Sequence, residues 1–407
     1  MKIALVLPNV PAYSETFFRN KILGLQKNGH EVLLYVNHSK APNRYLNCKV
    51  VKAPILNGNQ LFVTFNLFLE FLKVFFLNPV KSFKLYQLNR KDKISFSQNL
   101  KQILSNQFLL SEKLDWLHFG FGTMVLGREN VATAVGAEMA VSFRGFDFYV
   151  YPIRNKNCYS VLFTKKVKYH VLSEGMKKKL MMDGVAEDAI FKITPAVDVE
   201  IFNTTNTKKS DIIQIKTVAR LHWIKGLESA LEAMSLLKKE GIDFHYTIIG
   251  EGVEQERLMF AVYQLGLEKN VKFTGKLPHD EVKNHLEQAT IYLQYSIQEG
   301  FCNAVLEAQA MGLLCVVSDA DGLSENVLHD QTGWIVPKSN PIQLAEKIRE
   351  VISIDVIQRN TITSRAIKRI KEEFNIEKQT QEFIKFYNQE NNNYYYKIKV
   401  GDEFYRK

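Results

Sequence analysis

Short unbroken apolar runs alternate with stretches of helical periodicity along most of the chain. Residues 3–7 (IALVL) read as a strand buried on both faces. Behind them Phe18, Ile22 and Leu25 share one face of a helix, with Ser14 as its N-cap and Gly29 at its end. Residues 31–36 form a second apolar run, and 116–121, 139–143 and 169–172 have the same strand character. An aromatic-rich helical region fills residues 60–110. A polar stretch without period, residues 203–210 (NTTNTKKS), reads as a linker. Beyond it strands are legible at 212–218, 245–249, 271–274, 291–295, 314–318 and 334–336, with helical spacing between them, as in Leu227, Ala230, Leu231, Met234 and Leu237. Strands alternating with helices call for parallel sheets covered on both faces, whose ligands bind at the carboxyl ends of the strands. The pattern therefore predicts an α/β chain of two doubly wound domains: residues 1–202, a linker at 203–210, residues 211–375, and a C-terminal helix and tail, 376–407, packing back toward the first domain.

Composition narrows the class. The 407 residues exceed what one core usually serves, and 46% apolar with 24% charged residues is ordinary for a globular protein. Cys48, Cys158, Cys302 and Cys315 are scattered without metal-ligand spacing, which argues for reduced thiols and against a disulfide framework or zinc site. The opening MKIALVLP runs straight into polar residues and lacks a signal-peptide core, so a cytoplasmic location is expected. Residues 61–77 are the most hydrophobic stretch but carry Glu70 and Lys73, which disfavours a membrane span and favours a helix in a groove or on a membrane surface. A net charge of +10 favours anionic partners such as nucleotide phosphates or lipid headgroups. No nucleic-acid motif accompanies it.

The chemistry concentrates in residues 299–312, EGFCNAVLEAQAMG. A strand ends, Glu299, Gly300 and Phe301 occupy a loop, and a helix begins near Asn303, with Glu307 about one turn in. Carboxylates accept hydrogen bonds from several hydroxyls at once, as a sugar or ribose presents, and a helix start offers free N–H groups.

Glu299 and Glu307, seven residues apart, resemble the paired-glutamate signature of retaining glycosyltransferase family 4. The resemblance extends in order through residues 218–227 (VARLHWIKGL), 248–258 (IIGEGVEQERL), 271–277 (VKFTGKL) and 318–334 (SDADGLSENVLHDQTGW). It implies the GT-B fold, two Rossmann-like domains facing each other across a cleft. Arg220 and Lys225 would clamp the donor diphosphate, and Glu299 would lie by the donor sugar. The backbone at Gly300, Phe301, Cys302 and Asn303 would grip that sugar's hydroxyls. Glu307 would bind the ribose, Gly250 and Gly252 would let the chain pass close to the nucleotide, and Glu325 would lie near the nucleotide or its diphosphate. No metal or other cofactor is implied. Asp319 and Asp321 form a D-x-D that reads as coincidence.

The first half resembles the family less closely. Ser14, Glu15 and Thr16 match an acceptor-side Ser-Glu-Thr-Phe element, although Ser14 serves equally as an N-cap. His118, at a strand end, falls where the family has a histidine; as a structural residue it would be equally ordinary. In residues 142–147 (SFRGFD) the chain departs from the family, with Arg144 where many members have a sugar-contacting histidine. Arginine cannot shuttle protons but can hold a phosphate or carboxylate, which hints at a charged acceptor. Asp147 is placed to orient a hydroxyl or pair with Arg144.

The resemblance implies a hexosyltransferase using a UDP- or GDP-sugar and a saccharide acceptor, lipid-linked in cell-surface polysaccharide biosynthesis, with retained configuration and the leaving diphosphate taking the acceptor's proton. Lys165, Lys166, Lys168 and residues 177–179, with the aromatic helix, point to peripheral contact with the anionic inner face of the plasma membrane. An inert saccharide-binding relative, or another GT-B enzyme such as an epimerase, remains the alternative.

Overall fold

A computed structural model describes residues 1–11, 16–38, 46–55, 59–203 and 212–388. In it the apolar runs become two sheets in which every pairing between named strands is parallel. The first sheet comprises β1 (Lys2–Asn9), β2 (Glu31–His38), β3 (Lys49–Lys52), β4 (Trp116–Phe119), β5 (Glu138–Ser142), β6 (Lys168–Val171) and β7 (Ile190–Lys192), in the order β3-β2-β1-β4-β5-β6-β7. The second comprises β8 (Ile213–Val218), β9 (Phe244–Ile249), β10 (Val271–Gly275), β11 (Ile291–Gln294), β12 (Leu314–Ser318) and β13 (Trp334–Val336), in the order β10-β9-β8-β11-β12-β13. Eleven of these strands lie where the apolar runs predict them. The two left unread, β3 and β7, are the edge strands of the first sheet; both are short and carry lysines, as exposed edges usually do.

Cores follow the predicted stripes. Leu227, Ala230, Leu231, Met234 and Leu237 are all buried on the helix Leu227–Lys239. Phe18, Ile22 and Leu25 of helix α1 (Thr16–Lys27) pack with Ile3, Leu5 and Leu7 of β1 in the first core. The helical region 60–110 holds α2 (Gln60–Phe76), α3 (Pro79–Lys91) and α4 (Phe96–Ser105), followed by a short helix Gln107–Leu110. Among the described residues no single helix is long and apolar enough to cross a membrane.

The chain divides into one unit of Met1–Ile193 with the segment from Thr380 onward, and a second of Thr194–Gln379. The second unit thus starts nearer the N-terminus than the expected break at residue 202. The Val197 N–H donates to the Phe374 carbonyl at 2.8 Å and Gln379 Nε2 to the Thr194 carbonyl at 2.6 Å, which stitches the start of this unit to its end. Phe383, Phe386 and Tyr387, on the helix Ile376–Asn388, belong to the core of the first unit. Most of the expected linker, from residue 204 on, lies outside the described residues.

Candidate functional site

In the second sheet β8 and β11 are neighbours although two strand–helix units separate them in sequence, so the strand order reverses between them. Loops leaving strands at such a switch point diverge and open a crevice at their carboxyl ends. The loop after β8 carries Arg220 and Lys225; the loop after β11 carries Glu299, Gly300, Phe301 and Cys302.

Backbone geometry brings the two loops together. The turn Trp223–Lys225 ends at Gly226 with φ +60°, where a Cβ would come within 2.1 Å of the Tyr295 carbonyl oxygen. Glycine is therefore required for this turn to lie against the exit of β11. The Ile297 N–H donates to the Ile224 carbonyl at 2.8 Å and completes the seam. Lys225 then forms an ion pair with Glu299, each side chain 14% exposed. Ser296 Oγ donates to the same carboxylate at 3.2 Å, Gln294 Nε2 donates to Ser296 Oγ at 2.9 Å, and the Tyr292 hydroxyl donates to Gln294 Oε1 at 2.9 Å. Tyr292 and Gln294 share one face of β11, and Ser296 continues that alternation just beyond its end. They are wholly buried and make a polar line ending on Glu299.

The electrostatics match this geometry. Burial by itself would lower Lys225, but Glu299 beside it, with Cys302, holds the amine above its ordinary range, so Lys225 is a standing cation. Arg220 is exposed and close enough for its charge to act on Lys225. Burial, reinforced by Glu299 and Glu307, pushes the Cys302 thiol up to about 12, which removes it as a thiolate nucleophile near neutrality. Glu307, on the helix Asn303–Ala310, is buried, and its Oε1 lies 3.4 Å from His279 Nε2. The His279 ring in turn meets Phe202 edge-on, with centroids 4.9 Å apart.

No side chain caps the helix Asn303–Ala310, which begins directly after Cys302. Asn326 grips the peptide of Cys302 from both sides: its Oδ1 accepts from the Cys302 N–H at 3.0 Å and its Nδ2 donates to the Cys302 carbonyl at 3.1 Å. Arg369 fixes this support from behind, donating to the carbonyls of Glu325 at 2.9 Å and Asn326 at 2.8 Å. Phe301 is buried against Phe374, with centroids 5.7 Å apart. Asp319 and Asp321 are engaged separately, Asp319 by the Lys338 N–H at 2.9 Å and Asp321 by Gln298 Nε2 at 2.8 Å. Among the described residues no group of three or more His, Cys, Asp or Glu is placed to hold a metal ion.

Two of the expected glycines are also required by packing within the unit. At Gly250 (φ +143°) a Cβ would lie 1.9 Å from the Ala219 carbonyl oxygen, and at Gly252 it would lie 2.2 Å from that of Leu221. Both therefore let the loop after β9 pack on the backbone of the loop carrying Arg220, where the Leu221 N–H donates to the Glu251 carbonyl at 3.0 Å.

In the first unit Ser14 and Glu15 lie outside the described residues, and Thr16 opens α1. His118 is 0% exposed and both its ring nitrogens are engaged, which makes it a support for the sheet's interior. Donor logic orders its network. His170 Nε2 faces the Ile193 carbonyl at 2.9 Å and must carry hydrogen, so His170 Nδ1 accepts from Ser142 Oγ at 2.7 Å. Ser142 therefore accepts from His118 Nε2 at 2.7 Å, and His118 Nδ1 accepts from the Tyr387 hydroxyl at 2.6 Å, with Lys21 Nζ at 3.2 Å. Burial, with the nearby cations Lys21 and Arg144, pushes both imidazoles well below their ordinary range. The network works with both rings neutral.

The Arg144 guanidinium stacks over Phe17, 3.9 Å from its centroid, and over Phe18 at 4.7 Å. The Asp147 carboxylate accepts the backbone N–H groups of Gly122 and Arg144, tying the loops after β4 and β5 together. Burial raises it to about 6 against those bonds. Of the lysines expected to face a membrane, Lys165 pairs with Asp92 at 2.6 Å, Lys166 with Glu138 at 3.6 Å, Lys177 with Glu187 at 2.7 Å and Lys179 with Asp183 at 3.3 Å, Lys168 is buried and Lys178 is exposed.

Known proteins place this arrangement. Residues 198–369 match the family model described as glycosyl transferases group 1. The amylovoran biosynthesis glycosyltransferase AmsK of Erwinia amylovora is 28% identical over 366 residues, 85% of this chain and 89% of that protein. WcaL of Escherichia coli, a glycosyltransferase named for colanic acid biosynthesis, is 28% identical over 267 residues, 63% of this chain and 66% of that one. The crystal structure of Anabaena HepE with UDP and glucose shares the fold, with a TM-score of 0.71 at 14% identity over 95% of this chain and 99% of that one. The two parallel-sheet units have the GT-B fold, and residues 198–369 of the second are similar to the glycosyl transferases group 1.

Proposed function

We propose that this protein is a retaining hexosyltransferase. It takes a sugar from a nucleotide-diphosphate donor, UDP- or GDP-linked, and passes it to a lipid-linked saccharide in the assembly of a surface polysaccharide. The observation that carries the reading is the Lys225–Glu299 pair at the β8/β11 switch point, with Arg220 and Glu307 in the same electrostatic field. Lys225 is a cation across the working pH range, and with Arg220 it is suited to neutralise the charge that develops on a leaving diphosphate. Glu299 is held in one position by Lys225 and Ser296, as a carboxylate that orients sugar hydroxyls must be. Glu307, beside His279, suits a ribose diol. The names of AmsK and WcaL support a polysaccharide product, and the ligands of HepE support a UDP-sugar. No metal is needed for these roles.

Thermal stabilisation by UDP and GDP tests the donor site. A nucleotide at a hundred times its dissociation constant adds about 2.7 kcal/mol to the stability of the unit that binds it. Wild type is expected to be stabilised by one of the two, and Arg220→Ala, at an exposed position, to lose that effect while melting normally without ligand. Stabilisation undiminished in Arg220→Ala would remove Arg220 from the donor site.

A further inference from the structure

We infer that the elbow between α2 and α3 docks the protein on an anionic lipid surface by inserting its apolar tip. The two helices meet at 101°, and neither passes as a membrane span alone. At the bend Phe76 is 79% exposed, Leu77 70% and Val80 78%, with Phe75, Phe83 and Phe68 more than half exposed around them. A run of side chains this large and this open is an interaction surface, not scattered surface apolarity.

Charge decides the partner. Residues 60–91 contain five Lys or Arg against the single acid Glu70, and Glu70 is buried and paired with Lys73 at 2.6 Å. Along α3 the exposed residues Val80, Phe83, Lys84, Arg90 and Lys91 recur at helical spacing, so one face starts apolar at the elbow and turns basic away from it. At about 1.5 Å per residue, Lys84 lies about 6 Å and Arg90 about 15 Å beyond Val80. With the tip at the boundary of headgroups and acyl chains, Lys84 comes within reach of the lipid phosphates and Arg90 and Lys91 lie further out in the field of the anionic surface. An apolar tip rimmed by cations alone is complementary to a surface that is apolar within and anionic at its face, as a leaflet of acidic lipids is.

The elbow is also held in place from behind. Asn89 Nδ2 bonds Asn99 Oδ1 at 2.9 Å and Gln102 Oε1 at 3.0 Å, Asn130 Nδ2 bonds Asn89 Oδ1 at 3.0 Å, and Gln107 Nε2 bonds Ser82 Oγ at 2.9 Å. These buried amides lock α3 to α4 and to the body of the unit, so the tip is presented without an ordering cost at the membrane.

The inference extends the proposed transfer to a lipid-linked acceptor but is tested without it, since vesicle partition and turnover are read separately. Full-length protein is floated with vesicles of phosphatidylglycerol and phosphatidylcholine, and with phosphatidylcholine alone. Wild type is expected to float with the anionic vesicles at low salt and much less with the neutral ones. Phe76→Asp/Leu77→Asp should lower the bound fraction about tenfold or more, at an unchanged melting temperature. Lys84→Glu/Arg90→Glu should lose only the anionic preference, and raised salt should mimic it. In a Val80→Trp variant, brominated lipids should quench the fluorescence of the added indole. Wild type that fails to float, a tip variant that floats as well as wild type, or an indole emission in Val80→Trp untouched by brominated lipid overturns the inference. So does self-association abolished by the tip variant in protein that ignores vesicles, since a second copy would then cover the elbow.

Discussion

Lys225→Met is expected to destabilise the second unit by about 3–5 kcal/mol, because it strands the Glu299 carboxylate in a site 14% exposed with, among the described residues, Ser296 left to bond it. Glu299→Gln, which leaves the amine buried without its counter-ion, should cost a similar amount. The double variant Lys225→Met/Glu299→Gln removes both charges and is expected to recover most of that stability. Turnover separates structure from chemistry. If the pair also serves the leaving diphosphate and the donor sugar, the double variant should remain at least about a hundredfold slower than wild type despite being well folded. Urea unfolding of the three variants, with donor turnover measured on each, checks both halves. Single variants costing under about 1 kcal/mol would show that the pair is not what holds the two loops together, and full activity in the stable double variant would take it out of the reaction.

Acid should unfold the first unit through its buried histidines. His118 and His170 have their folded values pushed below the ordinary 6.5, so the unfolded chain takes up protons first as pH falls. Their contribution is fully present above pH 6.5 and is lost below it, until the folded rings themselves protonate. Each neutral ring removes about 1.4 kcal/mol per pH unit across that window, so the pair removes roughly 3 kcal/mol per unit. Asp147 acts oppositely: its folded value is raised to about 6 from 3.8, so it favours the folded state as pH falls across that range. His118→Gln isolates the histidine effect, since glutamine can still accept from Tyr387 and donate to Ser142 but does not titrate. The variant is expected to lose about half the histidine slope of stability between pH 6.5 and 5.5; an unchanged slope would mean that His118 is not held neutral.

How far the candidate site was legible depends on what each residue does. Arg220, Lys225, Glu299 and Glu307 are charged residues in loops or at a helix start, and their order along the chain resembles a known family, so sequence alone could nominate them. Ser296 and Gln294 were hidden inside an apolar run, where the period-two spacing of Tyr292, Gln294 and Ser296 was their only trace. Asn326 and Arg369 support Cys302 across 24 residues of sequence and from a distant helix, and no local pattern announces such a partner. His279 begins a helix beyond the recognised segment, and only folding sets it beside Glu307. The packing constraint on Gly250 and Gly252 was hidden for the same reason, because the atoms that forbid a Cβ belong to another loop.

Sequence by itself determined the class of fold, since a buried parallel strand must be apolar on both faces and a covering helix must carry a stripe at its own period. It also determined the division into two sheets and nominated the charged residues of the candidate site. The tertiary structure alone decided which polar residues are buried and therefore what they can do. His118 reads equally as a site residue or a structural one until the packing of α1, β5, β6 and the helix Ile376–Asn388 removes water from it and fixes its tautomer. Pairing of Lys165 with Asp92 and of Lys177 with Glu187 could not be read from the sequence, nor could the bend that leaves the side chains at Phe76–Val80 uncovered. Burial and pairing are properties of neighbours brought together by the fold, and sequence spacing does not contain them.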